Sequence, residues 1–243
     1  MTETLTIIGL GRFGQVAASL LEKDFHINTI DPADPAGPWP RIGIADLINS
    51  EHVLLCVPIN QLQAVLASIN PYLQPGATVL DTCSVKIKPC QWMQQLLPNN
   101  VHSIATHPLF GPDSYHTANK IIIHSVQCAE ERWQLWHALF IKLGLEPIIM
   151  DPDQHDQTIG LTQCLTHYIG RVLDGIERPD TDISTLGYKK LCEVQQQTCH
   201  DQWQLFLDIM RYNPYSASLL KNIIAHQQHL NNVLTTNEVQ HGH

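Results

Sequence analysis

A doubly wound, mostly parallel α/β sheet followed by a smaller all-helical domain is the architecture the sequence predicts, and three observations predict it. Short apolar runs alternate with helical periodicity through residue 150, the pattern of strands joined by crossover helices. A glycine-rich turn separates the first such strand from the first helix. From Asp151 onward no strand pattern recurs, only apolar stripes at helical spacing. Asp151-Pro152-Asp153 therefore marks the boundary, giving domains 1–150 and 151–243.

The elements follow in order. Residues 4–9 (TLTIIG) read as a buried strand, and Phe13, Val16, Ala17, Leu20 and Leu21 mark the amphipathic helix after it. HINTID (26–31) is a second strand, and the Pro-rich segment DPADPAGPWP after it can be neither helix nor central strand. A strand at 51–57, a helix at 59–69 and strands at 77–81, 102–106 and 120–126 come next. Trp133, Trp136, Leu139, Phe140 and Leu143 then mark a helix closed by Gly144, and EPIIM (146–150) is the last strand. In the second domain one stripe joins Leu161, Leu165, Ile169, Val172, Leu173 and Ile176. Trp203, Phe206, Leu207 and Met210 form another, and Leu220, Ile223, Ile224 and Leu234 a third.

Composition narrows the function. The 243 residues carry 14 Lys+Arg against 23 Asp+Glu, a formal charge of -9 with no basic run, which argues against nucleic acid as a partner. No stretch approaches the ~18–20 apolar residues of a membrane span. MTETLTIIGLGRFG has no basic n-region or cleavage site, and seven cysteines without a C-x-x-C pair favour reduced thiols. The expectation is a cytoplasmic protein with an excess of histidine, 14 in all.

Gly9-Leu10-Gly11-Arg12-Phe13-Gly14 is a G-x-G-x-x-G between strand and helix, a context that makes it a dinucleotide fingerprint of the Rossmann type. The first glycine permits the tight turn, the second lets backbone approach a pyrophosphate, and the third lets helix pack on strand. The helix N-terminus offers N–H donors to the phosphates. Asp31, 22 residues after Gly9, stands where a carboxylate takes the ribose hydroxyls. Its charge would repel a 2′-phosphate, and positions 32–40 hold no Arg or Lys to receive one, so the cofactor is read as NAD. Val57 and Pro58, after the 51–57 strand, complete the cofactor-binding set.

Two further segments stand where loops leave strand ends: Asp81-Thr82-Cys83-Ser84-Val85-Lys86 and His107-Pro108-Leu109-Phe110-Gly111-Pro112-Asp113-Ser114. A strand-end D-x-x-S-V-K followed by H-P-x-F-G-P, behind an N-terminal G-x-G-x-x-G, resembles the prephenate/arogenate dehydrogenase family of tyrosine biosynthesis. His155-Asp156, with His167 twelve residues on from His155, resembles the start of that family's helical domain.

The resemblance implies NAD-dependent oxidative decarboxylation of a small cyclohexadienyl substrate, prephenate first, with arogenate or the 4-amino-4-deoxy analogue as alternatives. It implies His107 as the base that takes the hydroxyl proton, a role suited to neutral imidazole, with Ser84 bonded to the same hydroxyl or to the ring. It implies a substrate contact for His167, which the pattern places with Gln163 and Arg171 on a polar face opposite the stripe 161-165-169-173. The family's carboxylate-binding Arg falls within Gln195-Gln196-Gln197, at Gln196, so another cation must serve, and Lys189, Lys190, Arg171 and Arg211 are at hand. The resemblance and the small second domain together imply a homodimer through the helices.

The remaining histidines read plainly. His226 and His229 share a helix face without a third ligand, so no metal is expected, and His241 and His243 fall in the tail. His155-Asp156 reads as a helix-start pair, and Cys83 as packing. A reading from another class is a dinucleotide-binding regulatory module without catalysis.

Overall fold

Apolar β-branched runs build the sheet: β1 (Thr4–Ile8), β2 (His26–Ile30), β3 (His52–Leu55), β4 (Thr78–Asp81), β5 (His102–Pro108), β6 (Lys120–Gln127) and β7 (Glu146–Ile149). The computed structural model of the chain describes residues 2–33, 37–177 and 183–235. His241 and His243 lie outside the described residues. The strand order is β2-β1-β3-β4-β5-β6-β7. β3 and β4 are buried at every position, as expected of strands covered on both faces.

Four helices accompany the sheet: α1 (Arg12–Leu21), α2 (Ile59–Ile69), α3 (Ile87–Leu96) and α4 (Glu130–Lys142). All neighbouring strands run parallel except β5 and β6, which pair antiparallel. The mostly parallel sheet of the sequence reading is what the structure holds. The reversal at β6 follows from its connection, since β5 and β6 are joined by residues 109–119 without a crossover helix.

One buried cluster joins β1 and α1 to α4 through Leu5, Ile7, Ala18, Ile104, Ile123 and Trp136. At its end a polar group is taken inside with its bonds made. Trp136 Nε1 donates to His52 Nδ1 at 3.3 Å, and His52 Nε2 meets Glu3 Oε2 at 2.9 Å. Arg132 donates to the other oxygen of Glu3 at 3.0 Å, and Phe25 stacks on Trp136. Burial pushes the His52 imidazolium below its ordinary range despite the Glu3 contact.

The chain divides into two compact units, residues 1–155 and 156–243. The division falls inside α5 (Pro152–Leu161), a few residues past Asp151. The second unit continues with α6 (Gln163–Asp174), α7 (Leu186–Cys199), α8 (Trp203–Tyr212) and α9 (Ser216–Thr235). Ile159, Cys164, Ile209 and Leu219 form its core. Asn213 ties the turn after α8 to α5, donating to the Asp156 carbonyl at 2.8 Å while accepting from Tyr215 N at 2.9 Å. No described helix is long and apolar enough to cross a membrane.

The face of α6 differs from the sequence reading. Cys164, His167 and Gly170 are its buried residues, while Leu161 before it is 64% exposed and Val172 is 44% exposed. Gly170 is the physical reason. A Cβ there would stand 1.9 Å from Thr198 Oγ1, so α7 closes on the glycine and draws the polar side of α6 inward.

Candidate functional site

The glycine turn is built by three different constraints. Gly9 has φ +94°, and a Cβ on it would lie 2.5 Å from the Cys56 carbonyl oxygen, so strand β3 leaves no room for a side chain. A Cβ on Gly14 would lie 2.0 Å from the Gly9 carbonyl oxygen, which brings α1 down onto the turn. At Gly11 nothing stands within 4 Å of that position. Gly11 is also the N-cap of α1 and provides no side-chain cap, so the first N–H groups of the helix are left for a ligand.

Asp31 directly follows β2. Its Oδ2 accepts from Leu10 N at 2.6 Å and its Oδ1 from Ala33 N at 2.8 Å, so the carboxylate ties the turn to the end of β2. Val57 flanks Gly9, and the exposed Pro58 is the N-cap of α2. Arg12 points its guanidinium at Asp113, with 2.6 and 2.7 Å contacts, and Phe13 lies 6.2 Å from Phe110 between ring centroids. The G-x-G-x-x-G helix is thereby fastened to the loop after His107. The residues fit NAD: an open approach over Gly11, uncapped helix donors, and a carboxylate at the ribose position.

Gly11 gives this fit a sharp test. Gly11→Ala should retain the melting temperature and lose NAD affinity, because the added methyl meets only the space the pyrophosphate needs. Gly14→Ala should lose stability as well, since its methyl meets backbone. Calorimetric titration with NAD beside a thermal melt separates the two.

The second cluster lies at the ends of β4 and β5. Lys86 is fully buried, and its Nζ lies 2.5 Å from both Asp81 Oδ2 and the Thr106 carbonyl. Asp81 also accepts from Cys83 N and Thr106 N, each at 3.0 Å, while Thr106 Oγ1 donates to the Asp81 carbonyl. This lattice fixes the chain on either side of His107, which stands in β5 itself, opposite Ile122 of β6. His107 is 3% exposed. Its Nδ1 lies 2.9 Å from Nε2 of His155, and the two rings meet edge to face. Its Nε2 has no hydrogen-bond partner among the described residues. Burial, then His155 and Lys86, hold the His107 imidazolium well below its ordinary range, so the ring is neutral at physiological pH. Ser84 is half-buried in the loop after β4, and no bond joins it to His107.

In the helical unit His167 is 6% exposed. Burial, then the Arg171 charge, pushes its pKa down to about 4. His167 Nδ1, Gln163 Oε1 and Arg171 Nε are buried without partners, at i, i+4 and i+8 along α6. Arg171 is held in place by the Thr198 and Asp201 carbonyls at 3.1 and 2.8 Å and lies over the Trp203 ring at 5.1 Å. Gln196 is exposed, as are Lys189, Lys190 and Arg211, while Gln195 donates to Asp174 at 2.6 Å. Of the four cations at hand, Arg171 is thus the one half-buried beside His167.

Two family models match the chain: prephenate dehydrogenase, nucleotide-binding domain, over residues 41–120, and TYRAAT1-like, C-terminal domain, over residues 172–242. Arogenate dehydrogenase 1, chloroplastic, of Arabidopsis thaliana is 28% identical over 90% of this chain. The chain is thus similar to prephenate and arogenate dehydrogenases, by the nucleotide-binding model over residues 41–120 and by relatives that match most of its length. It spans 37% of the length of that Arabidopsis relative and 66% of arogenate dehydrogenase 2, chloroplastic, of the same plant. Among solved structures it is similar to prephenate dehydrogenase from A. aeolicus in complex with hydroxyphenyl propionate and NAD+. That likeness has a TM-score of 0.76 at 18% identity, over 98% of this chain and 92% of the other. Synechocystis arogenate dehydrogenase gives a TM-score of 0.66 at 20% identity, over 96% and 91%. These likenesses bear on the fold.

The structure adds residues to the site that the sequence reading leaves out. From the sequence His155 reads as a helix-start partner of Asp156, whereas its Nε2 reaches the His107 ring. The D-x-x-S-V-K motif gives Asp81 and Lys86 no role, yet they form the buried pair beneath the site. A lysine five positions after an aspartate, where a buried strand ends, is the available signal.

Proposed function

We propose that the chain catalyses NAD-dependent oxidative decarboxylation of a cyclohexadienyl acid, with His107 as the base. The observation that carries this reading is a buried, neutral imidazole at the end of β5 whose Nε2 is uncommitted, on the same unit as the dinucleotide turn. NAD, when bound, supplies the hydride acceptor. His107 Nε2 takes the ring hydroxyl proton as the carbonyl forms, and Ser84 Oγ orients that hydroxyl. Loss of the ring carboxylate as carbon dioxide aromatises the product. Gly9, Gly11, Gly14, Asp31, Val57 and Pro58 hold the cofactor. Arg12 braces the turn against the loop carrying Asp113.

For the side chain of the substrate we favour arogenate, with prephenate as the second reading. Prephenate carries a second carboxylate without a compensating charge, whereas the arogenate side chain is a zwitterion. The exposed amide at Gln196 offers no charge to that second carboxylate. Arg171, with His167 and Gln163, is proposed as a polar group that binds substrate. The Arabidopsis relatives named as arogenate dehydrogenases support the same preference.

The test is kcat/KM for arogenate, prephenate and the 4-amino-4-deoxy analogue, each with NAD and NADP. Arogenate with NAD should be highest. Turnover of none of the three would overturn the reading in favour of a non-catalytic dinucleotide-binding module.

A homodimer through the helical unit is also proposed, because Leu161, Val172, Ile176, Leu186 and Trp203 are large apolar side chains left exposed there. Sedimentation should give twice the chain mass, and a stable monomer at micromolar concentration would refute it.

A further inference from the structure

A neutral imidazole can act as a base at Nε2 only if its single proton sits on Nδ1. The structure sets a hydrogen-bond partner at that nitrogen: Nε2 of His155, 2.9 Å away. Both rings are buried, at 3% and 1% exposed, which excludes competing water from the line between them. One proton serves that line. Donated from His107 Nδ1, it leaves His107 Nε2 bare; donated from His155 Nε2, it forces the His107 proton onto Nε2 and blocks the base.

We propose that His155 is the positioning residue of this site: its Nε2 accepts from His107 Nδ1–H and so holds His107 in the tautomer with Nε2 free. This proposal rests on the reading of His107 as the base. The fold supports a fixed partner. His155 lies on the first turn of α5, where its own N–H donates to the Asp151 carbonyl at 2.9 Å, so its backbone is already set by the helix. His107 is held from the other side by β5–β6 pairing and by the Asp81–Lys86 lattice at Thr106. The two rings are therefore carried on rigid elements, and their bond does not depend on a loop. When His107 takes the substrate proton, its Nδ1–H stays bonded to His155 and the bond strengthens, because the donor now carries charge. No proton needs to pass to His155.

The first test does not involve turnover. Nitrogen chemical shifts of the imidazoles in 15N-labelled protein should show His107 protonated at Nδ1 and bare at Nε2. In His155→Leu the bare and protonated nitrogens of His107 should mix or exchange. A wild-type His107 protonated at Nε2, or a pattern unchanged in His155→Leu, overturns the proposal.

The second test is kinetic. His155→Leu should lower kcat by about 10–100-fold, the scale on which orienting partners act, with NAD affinity retained. His155→Gln places an amide oxygen where Nε2 stood, keeps the acceptor, and should recover most of that loss. Equal losses in the two variants would mean that His155 fills space only. If no cyclohexadienyl acid is turned over at all, the functional reading fails while the nitrogen spectra still decide the role of His155. If His155→Leu does not fold, the wild-type spectrum and His155→Gln retain the decision.

Discussion

His107→Ala should fold, bind NAD with unchanged affinity and lose roughly 10²–10⁴-fold in kcat, the share a positioned base contributes. Folding should survive because the lattice beneath His107 uses Asp81, Lys86 and the backbone of Thr106, none of which bonds the imidazole. The pH profile makes the prediction stricter. Burial and the neighbouring charges place the His107 imidazolium well below the ordinary value of 6.5, so its base form is full across neutral pH. The acid limb of kcat/KM should therefore fall below pH 6.5, and His107→Ala should erase that limb. Stability follows the same sign: an unfolded chain binds this proton at about 6.5 and the folded one only at lower pH. The contribution of neutral His107 is thus complete above that value and is lost as the solution is acidified. A variant retaining full turnover, or a wild-type limb lying above pH 7, would remove His107 from the chemistry.

Lys86→Met should be the most destabilising of the conservative changes near the site. It leaves the Asp81 carboxylate fully buried with backbone donors but no countercharge. Breaking one side of such a pair costs about 3–5 kcal/mol. At about 2–4 °C per kcal/mol for a domain of this size, the melting temperature should fall on the order of 10 °C. Asp81→Asn with Lys86→Met should be less damaging than Lys86→Met alone, because the uncompensated charge is gone while an amide oxygen still accepts from the backbone. A single variant as stable as wild type, by denaturant titration, would show that water or another cation reaches Asp81.

The sheet was legible because its signals are local. β1, β3 and β4 are uninterrupted apolar runs, and the glycine turn has a spacing that backbone geometry imposes. α3 was not legible: its buried residues are Pro89, Cys90 and Met93, set among glutamines, so no apolar stripe announces it. The direction of β6 is written in its connection rather than in KIIIHSV itself, and eleven residues without helical pattern were the clue. The face of α6 misled for a related reason. Apolar residues at 161, 165, 169 and 173 suggest an inward stripe, but the small residue at Gly170 decides which side another helix can approach. His107 and Ser84 were found by motif. The bond from His107 to His155 joins residues 48 apart, a separation that no local pattern encodes.

The indole of Trp136 gives the sheet unit an optical signature of its own. Of the five tryptophans it is the one buried side chain, stacked on Phe25 with its N–H committed to His52. Trp203, the tryptophan of the helical unit, is largely exposed. Fluorescence from the dry, bonded indole shifts to the red when the sheet unit opens, whereas emission from Trp203 already reports a wet surface. A chain with Phe at Trp203 therefore carries a built-in gauge of the nucleotide-binding half, against which cofactor protection of that half can be followed without any substrate.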